Sequence, residues 1–445
     1  MRYLPHTEAD VRYMLDAIGV DSFEDVVAAI PEPLRQFNLE EPQRIGEPDL
    51  MRHYAAMQTG CDVRASFLGA GLYRHFVPCA VDSLISRGEF LTAYTPYQPE
   101  VAQGSLQAVF EFQTMVSEML GLEVANASMY DGASATAEAA LMALRLQKKK
   151  RRLLISEGLH PEYREVVDTY LKSVDCSLET VPLEGGALDP DALESALGSD
   201  VAGVIIQSPN VLGVVEDLTC LGSAIHEAGA KFITVCNSPT SLSLFKSPGA
   251  CGADIAVGEG TGIGVLPSFG GPGVGLFASR KEYLRQMPGR LCGQALDADG
   301  NEGYVLTLST REQHIRREKA TSNICTNQGL MALAFAIHGT LLGKRGFVDL
   351  GTQCAQRARY LQSALAARGV SRRYPDTPYY NEFVVEMGDR VEAAINLGLE
   401  RKIVAGLDLG RWNPKWSGGL MICVNEMQSR AVMDDLVDLL VEVSQ

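Results

Sequence analysis

The chain has 445 residues, 46% of them hydrophobic, and a net charge of −16 from 39 basic and 55 acidic side chains. That length and apolar content bury a large core in two or more domains, and charged residues at 21% leave no stretch polar enough to stay disordered. The surplus of acid argues against a nucleic-acid binder, which needs a basic face, and against docking on anionic membranes.

No apolar run approaches the ~20 residues that span a bilayer. The opening stretch Met1 to Asp10 has early carboxylates and no apolar core, so neither a signal nor a transit peptide is expected. Ten cysteines without a CxxC pair read as reduced thiols of a cytosolic protein, not as a zinc ribbon or redox motif.

In chain order, Thr7 with Asp10 makes a capping-box pattern, and Val11, Met14, Leu15 and Ile18 then mark one helical face that Gly19 stops. Ser22 with Asp25 repeats the signal before Val26, Val27 and Ile30, and Pro31 ends it. A Pro-rich stretch follows (Pro31, Pro33, Pro42, Pro48), so an N-terminal arm is expected over 1–65.

From about 100 to 280 the pattern alternates. Helices are expected at 101–120, 135–146 and 217–228. Extended segments are expected at 125–130, 152–155, 178–183, 201–207, 231–236 and 254–257, with an antiparallel return at 273–279. Short apolar strands between helices imply a mostly parallel sheet covered on both faces, a large α/β domain over 66–329. Beyond it, helices at 330–342 and 347–367, strands at 382–386 and 420–424 and a closing helix at 430–443 predict a small α+β domain over 330–445. The basic run Lys148 to Arg152 reads as the end of a helix, where cations suit the dipole, rather than as a nucleic-acid patch.

Four segments carry groups suited to chemistry. Tyr94-Thr95-Pro96-Tyr97-Gln98-Pro99-Glu100 is stiffened by two prolines, so its polar side chains are held in set directions. Tyr and Gln supply donors to a carboxylate and Glu can pair with an ammonium, a combination suited to a small zwitterion; the plain alternative is a rigid, solvated turn. Tyr130 to Glu138 runs from an extended segment into a helix with Ser134 and Thr136 near its start, a potential phosphate cradle. Asp131 complicates it, since its charge repels phosphate while making it a good N-cap. The glycine-rich run Ser268 to Gly275 is neither a Walker loop nor a dinucleotide fingerprint. Thr310 to Asn323 is dense in charge, and Arg311 or Arg316 could anchor an anion. No histidine has metal-ligand spacing, so no metal is expected. His160 follows the 152–155 strand, where α/β folds place ligand groups, although a satisfied structural histidine is the plainer alternative.

Together these blocks resemble a known family. Ser66 to Tyr73 leads on to Tyr94 to Glu100, and Met129 to Ala133 and Thr310 to Asn327 follow in the same order. The chain resembles the glycine cleavage system P-protein over nearly its whole length, in particular the first (alpha) subunit of the two-subunit form. The resemblance implies an aspartate-aminotransferase-like fold, that of pyridoxal-phosphate enzymes of fold type I. It implies decarboxylation of glycine and transfer of the aminomethyl group to the lipoyl arm of the H-protein, in a heterotetramer whose beta subunit carries the Schiff-base lysine and the cofactor.

This sequence departs from the catalytic half of that family. Asp254 to Val257 runs into Gly258-Glu259-Gly260-Thr261-Gly262-Ile263-Gly264, and no lysine stands between Lys246 and Lys281. A Schiff-base amine has no substitute among Gly, Thr and Glu. The strand that should end in an acid for the pyridine nitrogen ends Val235-Cys236-Asn237. The resemblance therefore implies a vestigial cofactor pocket around Ser134, Thr136 and His160. It also implies that Tyr94, Thr95, Tyr97, Gln98 and Glu100 reach the partner's cofactor and glycine across a subunit interface. The alternative is a catalytically silent structural or regulatory subunit.

Overall fold

The computed structural model describes residues 5–35, 44–59 and 62–445. Met1 to Leu4 and Pro42 lie outside the described residues. The chain divides into two compact units, Met1–Asp62 and Val63–Gln445.

In the first unit both capping boxes form. Thr7 caps Glu8–Ile18, which ends at Gly19 in the left-handed region, and Ser22 caps the short helix Phe23–Val26. Leu15 is buried, whereas Val11, Met14 and Ile18 stay exposed. Pro48 opens a helix, Glu47–Gln58, rather than breaking one: at the second helical position its missing N–H costs no intrahelical bond.

The second unit is built on a seven-stranded sheet in the order Val124–Ala125, Gly275–Ser279, Ile255–Glu259, Lys231–Cys236, Val201–Gln207, Arg152–Ser156, Ser177–Val181. The last five named run parallel, and Gly275–Ser279 is antiparallel to both neighbours. All seven residues of Val201–Gln207 are buried, which is why a central strand reads as one apolar run instead of an alternation. Helix Gly132–Leu146 packs its alanine-rich length on the sheet, with Ala135, Ala137, Ala139, Ala140 and Ala143 in one core cluster with Ile155, Ile233 and Val257. Small side chains there let helix and sheet approach closely.

After Gly329 a helical stretch runs to Ala367 with a break at Gly343, whose φ is 58°. Its first half packs Ala332 and Phe335 beside the sheet, and its second half packs Leu361 and Leu365 into a separate core with Phe383, Leu420 and Leu436. That second core covers the three-stranded sheet Glu382–Glu386, Gly419–Cys423, Leu407–Asp408. Ala65–Ser66 pairs with Ile403–Val404, so the second unit starts beside this layer before reaching the large sheet. No helix among the described residues is long and apolar enough to cross a membrane. Every described cysteine is an unpaired thiol.

Candidate functional site

Parallel α/β sheets present ligand groups at the carboxyl ends of their strands. A cavity of about 310 Å³ lies there, walled by Gly71, His160, Tyr163, the end of the Ile255–Glu259 strand and the Gly270–Gly273 turn. His160 caps helix Pro161–Leu171 through Nδ1, which accepts the Glu162 N–H at 3.2 Å, while Nε2 donates to the Ala70 carbonyl at 2.9 Å. That pattern needs the neutral imidazole, and burial lowers its pKa, against the opposing bond to Ala70. Gly71, at φ +89°, forms the facing wall; a Cβ there would stand 3.1 Å from the imidazole. The Ser66 to Tyr73 block is anchored by buried Glu382, which accepts the Ala70 N–H at 2.5 Å and the Tyr73 hydroxyl at 2.6 Å.

Two of the first three N–H groups of the helix beside the cavity, those of Gly132 and Ser134, are already bonded within the chain. Asp131 accepts the Ser134 N–H at 2.7 Å. The Gly132 N–H goes to the Glu259 carboxylate at 2.9 Å, which also accepts the Thr261 N–H at 2.9 Å, the Thr261 hydroxyl at 2.5 Å and the Val274 N–H at 3.1 Å. Burial raises the Glu259 pKa, opposed by those bonds. Ser134 and Thr136 turn their hydroxyls back on their own helix, to the carbonyls of Asp131 (3.1 Å) and Gly132 (2.7 Å). Of the three residues expected around a cofactor pocket, only His160 lines the cavity.

These groups do not fit pyridoxal phosphate. The cavity wall holds three carboxylates, Asp131, Glu162 and Glu259, and neither lysine nor arginine. A phosphate brought to the helix start would meet the carboxylates of Asp131 and Glu259, which already hold the Ser134 and Gly132 N–H groups. Asn237, at the strand end where a pyridine nitrogen would require an acid, is buried, with Nδ2 3.3 Å from Gln207 Oε1 and no partner for Oδ1 among the described residues.

The Tyr94 to Glu100 segment differs throughout. It lies on the surface ahead of helix Gln103–Leu120: Tyr94 is 81% exposed, and Tyr97, Gln98 and Glu100 are also exposed. Tyr94 and Thr95 line a second cavity of about 210 Å³ with Ser105, Thr326 and Asn327. The five expected residues thus divide into a cavity-lining pair and an outward-facing set. Beneath them sits Arg290, 2% exposed, which donates to the Tyr97 hydroxyl at 3.0 Å, lies 3.5 Å from Thr95 Oγ1 and pairs with Glu312 at 3.2 Å. Its guanidinium stands over the Tyr97 ring, 5.2 Å from the centroid.

Sequence reasoning missed Arg290. The arginines it favoured have other tasks: Arg311 donates to the carbonyls of Met287 and Gly289, setting the turn that precedes Arg290, and Arg316 bonds the Thr310 carbonyl at 3.2 Å. The one signal available was Gly289, a left-handed turn residue (φ +73°) leading into a charged side chain. The Thr310 to Asn327 block closes around the same region: Ser322 donates to Glu138 at 2.7 Å and Asn327 to the Ala127 carbonyl at 3.0 Å. Among the described residues one group, His75, Cys354 and Glu426, brings metal-ligand atoms within 4.8 Å of one another. The three bond to each other instead, His75 Nδ1 lying 2.9 Å and the Cys354 thiol 3.5 Å from the Glu426 carboxylate.

A mostly parallel seven-stranded sheet with a smaller α+β layer and a cavity at the strand ends is the architecture of fold type I enzymes, as expected from the sequence. Within that class the comparisons are specific. Residues 1–440 match the family model of the glycine cleavage system P-protein. A probable glycine dehydrogenase (decarboxylating) subunit 1 of Sorangium cellulosum is 48% identical, and one of Geobacillus kaustophilus 45% identical, each over 98% of both chains. A crystal structure of glycine decarboxylase (P-protein) of the glycine cleavage system, in inhibitor-bound form, is 41% identical over all of both chains, with a TM-score of 0.87. The chain belongs to the glycine cleavage system P-protein family.

Proposed function

We propose that the chain is the first of two unlike subunits of a glycine dehydrogenase (decarboxylating), lending residues to a site whose cofactor the second subunit holds. The observation that supports this most directly is the cavity at the strand ends. It has no lysine to form a Schiff base, three carboxylates where a phosphate needs donors, and a helix start whose first N–H is already taken by Glu259. Names of full-length relatives specify a subunit 1, which implies a second.

In this reading Tyr94, Thr95, Tyr97, Gln98 and Glu100 meet the partner's pyridoxal phosphate and bound glycine. Gln98 donates to the glycine carboxylate and Glu100 pairs with its amine. Holding both ends of so small a molecule orients the bond to be broken relative to the cofactor plane. Pyridoxal phosphate supplies the electron sink in the partner. The assembly is a cytoplasmic heterotetramer that hands the aminomethyl group to a lipoylated H-protein. Its first subunit is organised as an arm (1–65), a large domain (66–329) and a small domain (330–445).

The test is exchange of labelled bicarbonate into the glycine carboxyl group, with H-protein present, for the chain alone and mixed with a second subunit. The chain alone is expected to show neither exchange nor borohydride-fixed cofactor, and the mixture to show both. Exchange and covalent cofactor on the chain alone would overturn the reading.

A further inference from the structure

The segment at the surface owes its geometry to a cation beneath it, and that cation also decides which way two hydroxyl protons point. Arg290 offers only donors. When its NH2 group bonds the Tyr97 oxygen at 3.0 Å, that oxygen must accept, and its single proton is left to point elsewhere. Thr95 Oγ1, 3.5 Å from NH1, stands in the same relation more loosely. Tyr97 is exposed, so its proton is directed away from the buried guanidinium and toward the surface. Glu312 balances the charge at 3.2 Å, and His314 lies 3.5 Å from the same carboxylate and edge-on to the Tyr97 ring at 5.4 Å. Residues from two remote parts of the chain therefore fix one ring.

We infer that Arg290 is a positioning residue that sets Tyr97, with Thr95, as an outward hydrogen-bond donor to the carboxylate of the amino-acid substrate. This rests on the proposed function, and it adds a specific source of carboxylate selectivity. A neutral hydroxyl free to rotate would accept from the ammonium as readily as it donates to the carboxylate. A hydroxyl already accepting from Arg290 favours the donor role, and donation from a cation-linked hydroxyl is stronger than from an isolated one.

The experiment uses the assembled two-subunit enzyme. Arg290→Gln is paired with Glu312→Gln so that no buried charge is left alone, and Arg290→Lys, which keeps the charge but loses the forked geometry, is the second variant. Assembly is followed by size-exclusion. For R290Q/E312Q the KM for glycine is expected to rise roughly tenfold, as for loss of one hydrogen bond to a charged group, with R290K intermediate. Competitive inhibition by acetate should weaken in parallel, while that by methylamine should not move, a separation that general loosening of the segment would not produce. Tyr97→Phe should cause a similar rise, and adding it to R290Q/E312Q should change KM less than about threefold, because both remove the same donor.

An assembled R290Q/E312Q or R290K enzyme with unchanged glycine KM would overturn the inference, as would Tyr97 and Arg290 effects that multiply in full. If Tyr97→Phe raises KM and the Arg290 variants do not, only the positioning role fails. If Tyr97→Phe and Gln98→Ala both leave KM unchanged, the proposed function of the segment fails first.

Discussion

The cavity at the strand ends and the Tyr94 to Glu100 segment are both polar, yet they dispose of their polarity in opposite ways. At the cavity, four donors converge on Glu259, the hydroxyls of Ser134 and Thr136 return to their own helix, and His160 is tied at both ring nitrogens. On the segment, Arg290 and Glu312 are buried underneath while Gln98 and Glu100 stay exposed. A group satisfied inside its own chain contributes to folding; one held rigidly but left facing outward is available to something else. On the function proposed above, the fold keeps an enzyme-like cavity as structure and moves its chemistry to the surface.

The sharpest way to break this comparison is Glu259→Ala. It leaves the N–H groups of Gly132, Thr261 and Val274 buried without acceptors, at about 1–3 kcal/mol each, so a loss of roughly 3–9 kcal/mol in unfolding free energy is expected. Glycine-dependent exchange by the fraction that still assembles with a second subunit should be unchanged within about twofold. A folded variant with tenfold lower activity per assembled enzyme would place catalytic work in the cavity after all.

The opposite signature is expected on the segment. Gln98→Ala and Glu100→Ala remove exposed side chains that make no hydrogen bond among the described residues, so denaturation midpoints should stay within the scatter of surface substitutions, about 0.5 kcal/mol. Each should instead cost about 1.5–3 kcal/mol of transition-state stabilisation, roughly 10- to 150-fold in kcat/KM for exchange. Variants that melt early but turn over normally would reduce the segment to a rigid surface turn.

Much of the fold was legible because its elements are long or uniformly apolar. Val201–Gln207 and Lys231–Cys236 match the expected bounds, and the capping boxes at Thr7 and Ser22 are local, so sequence shows them. The expected strand at 125–130 shrinks to Val124–Ala125 and a single bridge from Met129 to Gly275, since the edge of the sheet offers one neighbour only. The hairpin Leu291–Leu296 with Glu302–Thr307 was not read at all, because its strands run from buried to exposed residues and are mixed in character. The missing lysine was legible, as absence from a run of glycines. What replaced it was not: Glu259 acts through contacts 127 residues back along the chain, and Arg290 meets Tyr97 across 193. Buried polar hubs are assembled by topology, and no local spacing announces them.

A third buried acid, outside both regions, offers the finest test of the rule that inward polarity sets stability. Glu216 accepts from Asn210 at 2.7 Å and from the Leu188 N–H at 3.1 Å, and burial, only partly offset by those bonds, pushes its pKa up to about 7. The carboxyl therefore binds its proton more tightly folded than unfolded, where its pKa is near 4.5. Its contribution is complete below that value and is lost as pH rises through 7. The loss should amount to roughly 1–2 kcal/mol after allowance for relaxation around the site. Glu216→Gln cannot ionise and still offers an acceptor to Asn210. Urea midpoints of the two proteins at pH 5, 6, 7 and 8 should therefore diverge, the wild type falling and the variant staying flatter, while glycine KM in the assembled enzyme stays the same. Parallel curves would mean that Glu216 titrates at its ordinary value, and that its burial is relieved by solvent reaching the site.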